Sequence, residues 1–416
     1  MKVLVSAYAC EPGNGSEPGV GWNWVRQIAC FHDIWVITRA NNRQPIESAL
    51  VKEPLPNAHF VYFDLPRWMR FWKKRKRGVH AYYYLWQAGA YFVARKLHRQ
   101  MSFDLVHHVT FVNYWMPSFL ALLPVPFLWG PVGGGESAPR SFMSTFSLRG
   151  KIYEVMRDLA RAIAHFDPFV RLAARRAALA FSTTQATQNR LHALGCQKVL
   201  VLSEAGLTGE EIRNLGTASP RSNNHPFRLV SIGNLLHLKG FELAMRAFAQ
   251  FQSGFPASEY WLIGEGPERR RLERLAGELA LNGKVTFWGR IPRTRVLEKL
   301  AECDVLVHPS LHDSGGWVCL EAMAAGCPVI CLNLGGPAIQ VTEETGIKVS
   351  AISPKQVVAE LAAAMNQLAS DPARRVKLGK SARERVGKHF AWERKGDFLM
   401  GIYSTIVPAT GARKTC

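Results

Sequence analysis

Short apolar runs alternate with longer stretches in which apolar residues recur at helical spacing, and this alternation occurs twice along the chain. Apolar runs of this kind predict buried strands of doubly wound parallel sheets. In the first half they cover residues 3–8, 34–38, 60–63, 105–109, 126–129, 180–182 and 199–202. In the second half they cover residues 228–232, 260–263, 285–288, 305–308 and 329–332, and three helical stretches follow Pro354.

A polar stretch at residues 208–226 separates the two halves. It contains Gly, Asn, Ser and Pro without apolar periodicity, which is typical of a linker. With 416 residues the chain also exceeds the ~250–300 at which single cores stop growing. We therefore expect an α/β protein with two Rossmann-like domains, residues 1–207 and 227–392, whose parallel sheets face an interdomain cleft.

The most informative motif spans residues 305–330. A buried strand at 305–308 leads through Asp313, Gly315 and Gly316 into a helix predicted at 318–325, which contains Glu321. Ligands of open α/β sheets bind at the carboxyl ends of the strands. Free backbone N–H groups of the helix N-terminus beside the two glycines would bind phosphate, and both carboxylates would accept hydrogen bonds from hydroxyl groups. The motif therefore predicts a nucleotide-sugar site.

This motif resembles the donor signature of glycosyltransferase family 4, which comprises retaining enzymes of GT-B fold. The resemblance extends over nearly the whole chain, including residues 3–21, 104–107, 182–185, 231–240, 262–267, 285–289 and 371–393. It implies that the last helix, residues 393–416, packs back on the first domain. It also implies catalytic roles for Lys239 and Asp313, and donor contacts from Gly19, Gly21, Gly233, Asn234, Gly264, Gly266, Trp288, Arg290, Ser314, Gly315, Gly316, Trp317 and Glu321.

Three positions depart from the family pattern. Asn234 stands where the family usually has Arg for the donor diphosphate, so Arg290 or Arg293 is a candidate replacement. Asp313 stands where Glu is more common, and Trp317 could stack on a ring or simply cover the helix.

On the acceptor side, residues 104–110 end a strand with His107 and His108. Because successive strand residues face opposite ways, one imidazole is expected to reach the cleft and the other to lie in the core. We favour His108 as the catalytic residue.

Two glycine-containing segments, residues 18–21 and 130–136, are expected to form loops at the same edge. Turn formation alone could explain the first, whereas phosphate or acceptor contact is favoured for the second, which contains Gly133, Gly134, Gly135 and Glu136.

The resemblance implies transfer of a hexosyl unit with retention, from a UDP-sugar or, as second choice, GDP-mannose. The acceptor would be a glycan or a lipid-linked sugar in polysaccharide or glycoconjugate synthesis. Front-face attack is favoured because no matching motif supplies a nucleophile. No metal or other cofactor is expected, since the chain has no Asp-x-Asp motif. Two alternatives stay open: a sugar-nucleotide epimerase or phosphorylase of GT-B fold, and a non-catalytic protein that binds nucleotide-sugars or membrane surfaces.

Charge adds a further expectation. The net charge is +20, and residues 1–205 alone carry 25 basic and 12 acidic residues, a net +13. The densest basic run, residues 67–77, also contains Trp68 and Trp72, a combination that would bind an anionic membrane surface. A solvated basic loop is the alternative, and no recognition module indicates nucleic-acid binding. Without a signal peptide or spanning segment, the chain is expected in the cytoplasm, on the inner face of the membrane if the run binds there.

Overall fold

The computed structural model describes residues 1–13, 15–71, 78–216 and 226–407. The chain divides into two compact units. Unit 1 comprises Met1–Gly135, Asp158–Glu204 and Trp392–Cys416, and unit 2 comprises Glu136–Arg157 and Ala205–Ala391.

Unit 1 is built on a parallel sheet that has seven strands in the described part of the chain, in the order β3-β2-β1-β4-β5-β6-β7. The strands are β1 Lys2–Ala7, β2 Asp33–Thr38, β3 Ala58–Tyr62, β4 Leu105–Thr110, β5 Phe127–Val132, β6 Ala177–Ser182 and β7 Val199–Val201. The helices along this part of the chain are α1 Glu17–Ala29, α2 Arg43–Lys52, α3 Arg67–Arg70, α4 Val79–Met101, α5 Leu148–His165, α6 Pro168–Arg176 and α7 Gln185–Ala193. The residues of α5 up to Arg157 belong to unit 2, and those from Asp158 belong to unit 1.

Unit 2 is built on a second parallel sheet, with six strands among the residues described, in the order β10-β9-β8-β11-β12-β13. The strands are β8 Arg228–Ile232, β9 Glu259–Ile263, β10 Val285–Gly289, β11 Val305–His308, β12 Val329–Leu332 and β13 Gly346–Val349. The helices are α8 Gly209–Gly216, α9 Phe241–Gln252, α10 Arg269–Glu278, α11 Arg293–Ala301, α12 Trp317–Ala324, α13 Gly335–Gln340, α14 Pro354–Ser370 and α15 Pro372–His389.

Both sheets form because their strands carry uninterrupted apolar runs that helices cover on both faces. All residues of β11 and β12 are buried, and so are all residues of β4 and β5. Strands β8, β11 and β12 begin and end where the apolar pattern predicts. The prediction of an α/β chain with two parallel sheets is confirmed.

Three segments differ from the sequence reading. Strand β13 was not predicted, because four residues that include Gly346 and Lys348 carry little apolar signal. Helix α8 lies inside the stretch at 208–226 that the composition suggested as a linker, and residues 217–225 of that stretch lie outside the described residues. Residues 18–21 were expected as a loop but belong to the first turns of α1, where Gly21 lets the helix pack against the backbone of Ala9.

The last helix, α16 Trp392–Ile406, belongs to unit 1. The Trp392 ring packs edge-on against Trp24, with 5.3 Å between ring centroids. The buried Lys395 Nζ donates to the carbonyl oxygen of Ser203 at 2.6 Å. In the described part of the chain, no helix is both long enough and apolar enough to cross a bilayer.

Candidate functional site

Asp313 lies in the loop after β11 and has a hydrogen-bond partner on each carboxylate oxygen. Its Oδ2 accepts from Lys239 Nζ at 2.5 Å and contacts His308 Nε2 at 3.0 Å. Its Oδ1 accepts from the backbone N–H groups of Gly315 and Gly316 at 3.2 and 3.0 Å. Burial by itself would raise the pKa of Asp313, but Lys239 and His308 hold that pKa well below its usual value. Asp313 is therefore an ionised carboxylate at neutral pH.

The amides of Gly315 and Gly316 have a role that the sequence did not predict. Both donate to Asp313, so they fix the position of its carboxylate. The turn depends on Gly316, whose φ of +58° is left-handed and whose added Cβ would lie 2.7 Å from Gln340 Oε1. Ser314 lies in the same turn, with its carbonyl oxygen close to Gly336. The turn is built to position Asp313 at the start of α12.

Lys239 reaches Asp313 because two loops are joined by their backbones. The turn His237–Lys239 follows β8, and the N–H group of Leu311 donates to the carbonyl oxygen of Leu238 at 2.8 Å. Lys239 and Asp313, separated by 74 positions in the sequence, consequently lie side by side at the carboxyl edge of the second sheet.

The glycine loops after β8 and β9 lie against each other at this edge. Gly264 has a φ of +142°, and a Cβ there would lie 1.9 Å from the carbonyl oxygen of Gly233. Gly266 similarly packs against the backbone of Leu235. The structure therefore brings Gly233, Gly264 and Gly266 together, with the exposed Asn234 in the same loop.

Glu321, on the buried face of α12, forms an ion pair that the sequence did not reveal. Arg293 donates to its Oε1 through Nε at 3.0 Å and through Nη2 at 2.8 Å, and also bonds Glu211 at 2.9 Å. Burial raises the pKa of Glu321, while Arg293 lowers it. Arg293 was a candidate to replace the missing arginine at Asn234, but the structure engages it with two carboxylates.

The remaining donor-side candidates differ in exposure. Trp288 packs edge-on against Trp261, with 5.3 Å between ring centroids, and Lys299 Nζ lies 4.7 Å from the Trp288 ring centroid. Trp317 is also partly buried, and it packs against the same group of buried apolar side chains as Trp288 does. Arg290 is exposed. The structure therefore gives Trp288 and Trp317 packing contacts and leaves Arg290 at the surface.

A chain of polar side chains begins at His312, the residue before Asp313, and the sequence analysis missed most of it. His312 lies 3.7 Å from Glu136 Oε2 and 3.2 Å from Arg157 Nη1. Arg157 pairs with Glu154, whose Oε1 contacts His237 Nε2 at 3.3 Å. The one available signal was the position of His312 directly before Asp313, since the other partners come from distant segments. Glu136, proposed for the acceptor side, is thereby linked to the loop of Asp313.

In unit 1, both candidate histidines of β4 lie in the core. His107 Nδ1 contacts Tyr403 Oη at 2.7 Å, and its Nε2 contacts the carbonyl oxygen of Gly130 at 2.8 Å. His108 Nε2 contacts Tyr83 Oη at 2.9 Å. Burial lowers the pKa of His107 to about 4 and that of His108 to about 3, so both are neutral at pH 7. We expected one imidazole to reach a cleft; because helices cover both faces of this central strand, both are buried.

The glycines after β5 bind neighbouring segments of unit 1. Gly133 forms a bridge with Asn113, and the carbonyl oxygen of Gly134 accepts from Arg161 Nη2 at 2.6 Å. The N–H group of Gly135 donates to Thr187 Oγ1 at 3.0 Å. Gly19, in α1, accepts from Asn23 through its carbonyl oxygen. These glycines allow close backbone packing near the strand ends.

Chemically, the edge of the second sheet combines a fixed carboxylate, a lysine and glycine loops. Such a set can hold sugar hydroxyls on the carboxylate and a phosphate on the cation. Among the described residues no group of three or more His, Cys, Asp and Glu side chains is arranged to hold a metal ion.

The fold defines the class of protein: two α/β units with parallel sheets form the GT-B fold of many glycosyltransferases. The sequence model of the family "Glycosyl transferases group 1" matches residues 216–385, which carry Lys239, Asp313 and Glu321. The carboxyl-terminal part of the chain is therefore similar to group 1 glycosyltransferases.

Two relatives show how far the similarity extends. The 2-deoxystreptamine glucosyltransferase of Streptomyces kanamyceticus is 28% identical over 176 residues, which are 42% of this chain and 45% of that protein. A lipopolysaccharide core biosynthesis glycosyltransferase of Rhizobium meliloti is 31% identical over 177 residues, 42% of this chain and 49% of that protein. The chain thus spans just under half the length of these curated relatives.

Two solved structures match almost the entire chain. The sucrose-phosphate synthase of Thermosynechococcus elongatus has a TM-score of 0.68 at 20% identity, covering 98% of this chain and all of that one. Anabaena HepE in complex with UDP has a TM-score of 0.62 at 18% identity, covering 97% of this chain and all of that one. At these identities the likeness is one of fold.

Proposed function

We propose that this protein is a retaining glycosyltransferase of family 4 that transfers a hexosyl unit from a nucleotide-sugar to a glycan or lipid-linked acceptor. The observation that carries the proposal is the contact of Lys239 and His308 with Asp313 at the end of β11. This contact lies inside the region that matches the group 1 glycosyltransferases.

In the proposed mechanism, Lys239 stabilises the diphosphate that leaves the donor sugar. Negative charge grows on the leaving oxygen as the glycosidic bond breaks, and a fixed cation lowers the free energy of that state more than that of the bound substrate. Lys239 is held in place by Asp313 before the donor arrives, so little reorganisation is needed.

Asp313 acts by positioning the sugar rather than by attacking it. Its Oδ2 bonds one cation and a histidine, and its Oδ1 bonds two backbone N–H groups, which together lower its basicity and nucleophilicity. A carboxylate with these partners accepts hydroxyl hydrogen bonds well but forms a covalent intermediate poorly. Front-face attack, in which the donor phosphate takes the proton of the acceptor, is consistent with this arrangement.

For the donor we favour a UDP-sugar, with GDP-mannose next. Two observations support this order: one relative is a glucosyltransferase, and HepE binds UDP on the same fold. Glu321 would accept hydrogen bonds from the ribose hydroxyls, and Arg293 fixes the orientation of its carboxylate. We propose that no divalent metal is required, because Lys239 supplies the positive charge at the diphosphate.

We also propose that the enzyme works in the cytoplasm, with residues 67–77 on an anionic membrane surface. Trp68 and Phe71, at the start of this run, are exposed in the structure. Residues 72–77, which include most of its basic side chains, lie outside the described residues.

The decisive experiment is a thermal-shift screen with UDP-, GDP-, ADP- and dTDP-sugars, followed by acceptor assays with the sugar that binds. A product with the anomeric configuration of the donor, formed equally in EDTA, is the expected result. Epimerisation or phosphorolysis of the donor without transfer would contradict the proposal, and so would binding without turnover on any glycan or lipid-linked acceptor.

A further inference from the structure

Helix α5, Leu148–His165, has its polar face turned towards the protein. Gly150, Glu154, Arg157 and Arg161 follow one another at spacings of four, three and four, which places them on one side of the helix. Glu154 contacts His237, Arg157 contacts His312, and Arg161 donates to Gly134. Gly150 packs against the ring of His237. These contacts fix which side of α5 faces the protein.

The opposite side of α5 is apolar and open to solvent. Its residues recur at the spacing of a single helical stripe, and each is more than half exposed. They are Leu148, Ile152, Val155, Met156, Leu159, Ile163 and, just beyond the helix, Phe166. Single exposed apolar residues are common on protein surfaces, but a continuous stripe of this length marks an interaction surface.

The charges around this stripe have one predominant sign. Apart from Glu154, Arg157 and Arg161, which face the protein, residues 148–176 contain five Lys and Arg and two Asp and Glu, a net charge of +3. Arg149 is exposed at the amino end of the stripe, and Arg175 and Arg176 are exposed in the following helix α6. The aromatic rings of Tyr153, Phe166 and Phe169, all of them exposed, lie along the same segment.

We propose that the apolar stripe of α5 docks on an anionic lipid surface, with α5 lying in the plane of the membrane. Leu, Ile, Val and Met side chains would enter the boundary between headgroups and acyl chains, aromatic rings would lie at headgroup level, and Arg and Lys would meet lipid phosphates. This surface is separate from residues 67–77. The proposal does not require that the protein transfers a sugar.

Lipid fits the stripe better than a second copy of the chain does. In a symmetric pair the same patch faces itself, so the net positive charge of residues 148–176 would be doubled across the contact. An anionic membrane instead offers opposite charge to the basic residues and an apolar interior to the stripe. Charge complementarity therefore selects the membrane.

The test is co-sedimentation of the full chain with vesicles, without any donor or acceptor. We expect the protein to bind vesicles that contain phosphatidylglycerol and to bind pure phosphatidylcholine less. The triple variant Ile152→Gln, Leu159→Gln, Ile163→Gln should lose roughly tenfold or more in partitioning. Part of the wild-type binding should persist at high salt, because screening weakens the charge contacts but not apolar insertion.

The control replaces three apolar residues elsewhere that are even more exposed: Val51→Gln, Ile352→Gln and Val376→Gln. This control should bind vesicles as the wild type does. Wild-type protein that stays in the supernatant at low salt would overturn the proposal, as would an α5 triple variant that binds normally. Sedimentation velocity tests whether the stripe instead binds a second copy of the chain. If the wild type is a dimer and the α5 variant is a monomer, the stripe binds a second copy and the proposal is wrong. Because no sugar is present, none of these outcomes depends on the proposed transferase activity.

Discussion

The two sheets carry different chemistry at comparable places. In unit 2 the loop after β11 and helix α12 carry the carboxylates of Asp313 and Glu321, each of which is bound by a cation. In unit 1 the central strand β4 carries two imidazoles that burial keeps neutral. Both units have a doubly wound parallel sheet, but their polar groups differ. The edge of the sheet in unit 2 carries charged groups that suit a diphosphate, whereas the core of unit 1 contains hydrogen bonds between uncharged groups. The predictions below test that contrast, from the largest expected effect to the smallest.

The substitution Lys239→Ala should have the largest effect, because it removes the cation of the charged edge. We expect kcat to fall by about 10²–10³, or ~2.7–4 kcal/mol, with a smaller change in KM. Steady-state kinetics with the donor identified by screening would measure both. Lys284→Ala is the control, since the described contact of the Lys284 side chain is with the exposed carbonyl of Pro256. A change confined to KM would contradict the role in the transition state.

The substitution Glu321→Ala should weaken nucleotide binding by ~1.5–3 kcal/mol, because the ribose hydroxyls lose a charged acceptor. Calorimetry with the free nucleoside diphosphate would measure this loss. Because Glu321 also binds Arg293, a second variant is needed to separate the ribose contact from the ion pair. Glu211→Ala removes the other partner of Arg293 and leaves Glu321 in place, so it should weaken nucleotide binding much less. Equal losses in both variants would show that the effect comes from Arg293 and not from the ribose contact.

The contrast between the units was only partly visible in the sequence. The apolar runs predicted both sheets, and the spacing around Asp313 and Glu321 placed these residues at a strand end. What they bind could not be predicted, because Arg293 comes from another helix and the glycine amides could have served either a phosphate or a side chain. The side of α5 that faces the protein was equally hidden, since Arg157 meets His312 across 155 positions of sequence.

Glycine positions show the same limit. Gly19 and Gly21 suggested a loop, because glycine lowers helix propensity. In the structure both lie in α1, where the absence of a side chain at Gly21 allows contact with the Ala9 carbonyl oxygen. The gain from close packing exceeds the cost in propensity, and only the tertiary structure shows which of the two decides.

A third prediction concerns how the free energy of unfolding depends on pH, to which His107 in unit 1 and Asp313 in unit 2 contribute in different ranges. The pKa of His107 is lowered from 6.5 to about 4, so the unfolded chain binds more protons than the folded one below pH 6.5. Stability is therefore full above pH 6.5 and is lost as the pH falls towards 4. At pH 5 the loss from His107 should be about 2 kcal/mol. Asp313, whose pKa is lowered below 3.8, contributes stability that is lost only at still lower pH.

Urea titrations at pH 7 and pH 5 would measure this effect as a change in the free energy of unfolding. The variant His107→Gln keeps hydrogen-bonding groups beside Tyr403 and Gly130 but does not titrate, so its stability should depend less on pH in this range. The variant His59→Gln, at a histidine exposed on β3, is the control and should behave as the wild type. If His107→Gln and the wild type lose the same stability between pH 7 and pH 5, the imidazole is not held neutral in the folded protein.

The smallest expected effect is that of Asn234→Arg, which tests whether the charged edge of unit 2 is complete. Asn234 is exposed in the loop after β8, where the family pattern has arginine. Arg293 is bound to Glu211 and Glu321, so it does not supply the missing charge in this structure. A new arginine should therefore tighten binding of the nucleoside diphosphate by up to about 1 kcal/mol, the range of an exposed ion pair.

Calorimetry would compare the affinity of Asn234→Arg with that of Asn234→Gln, which adds length without charge. Unchanged affinity in Asn234→Arg would mean that another cation, with the exposed Arg290 as first candidate, already binds the diphosphate.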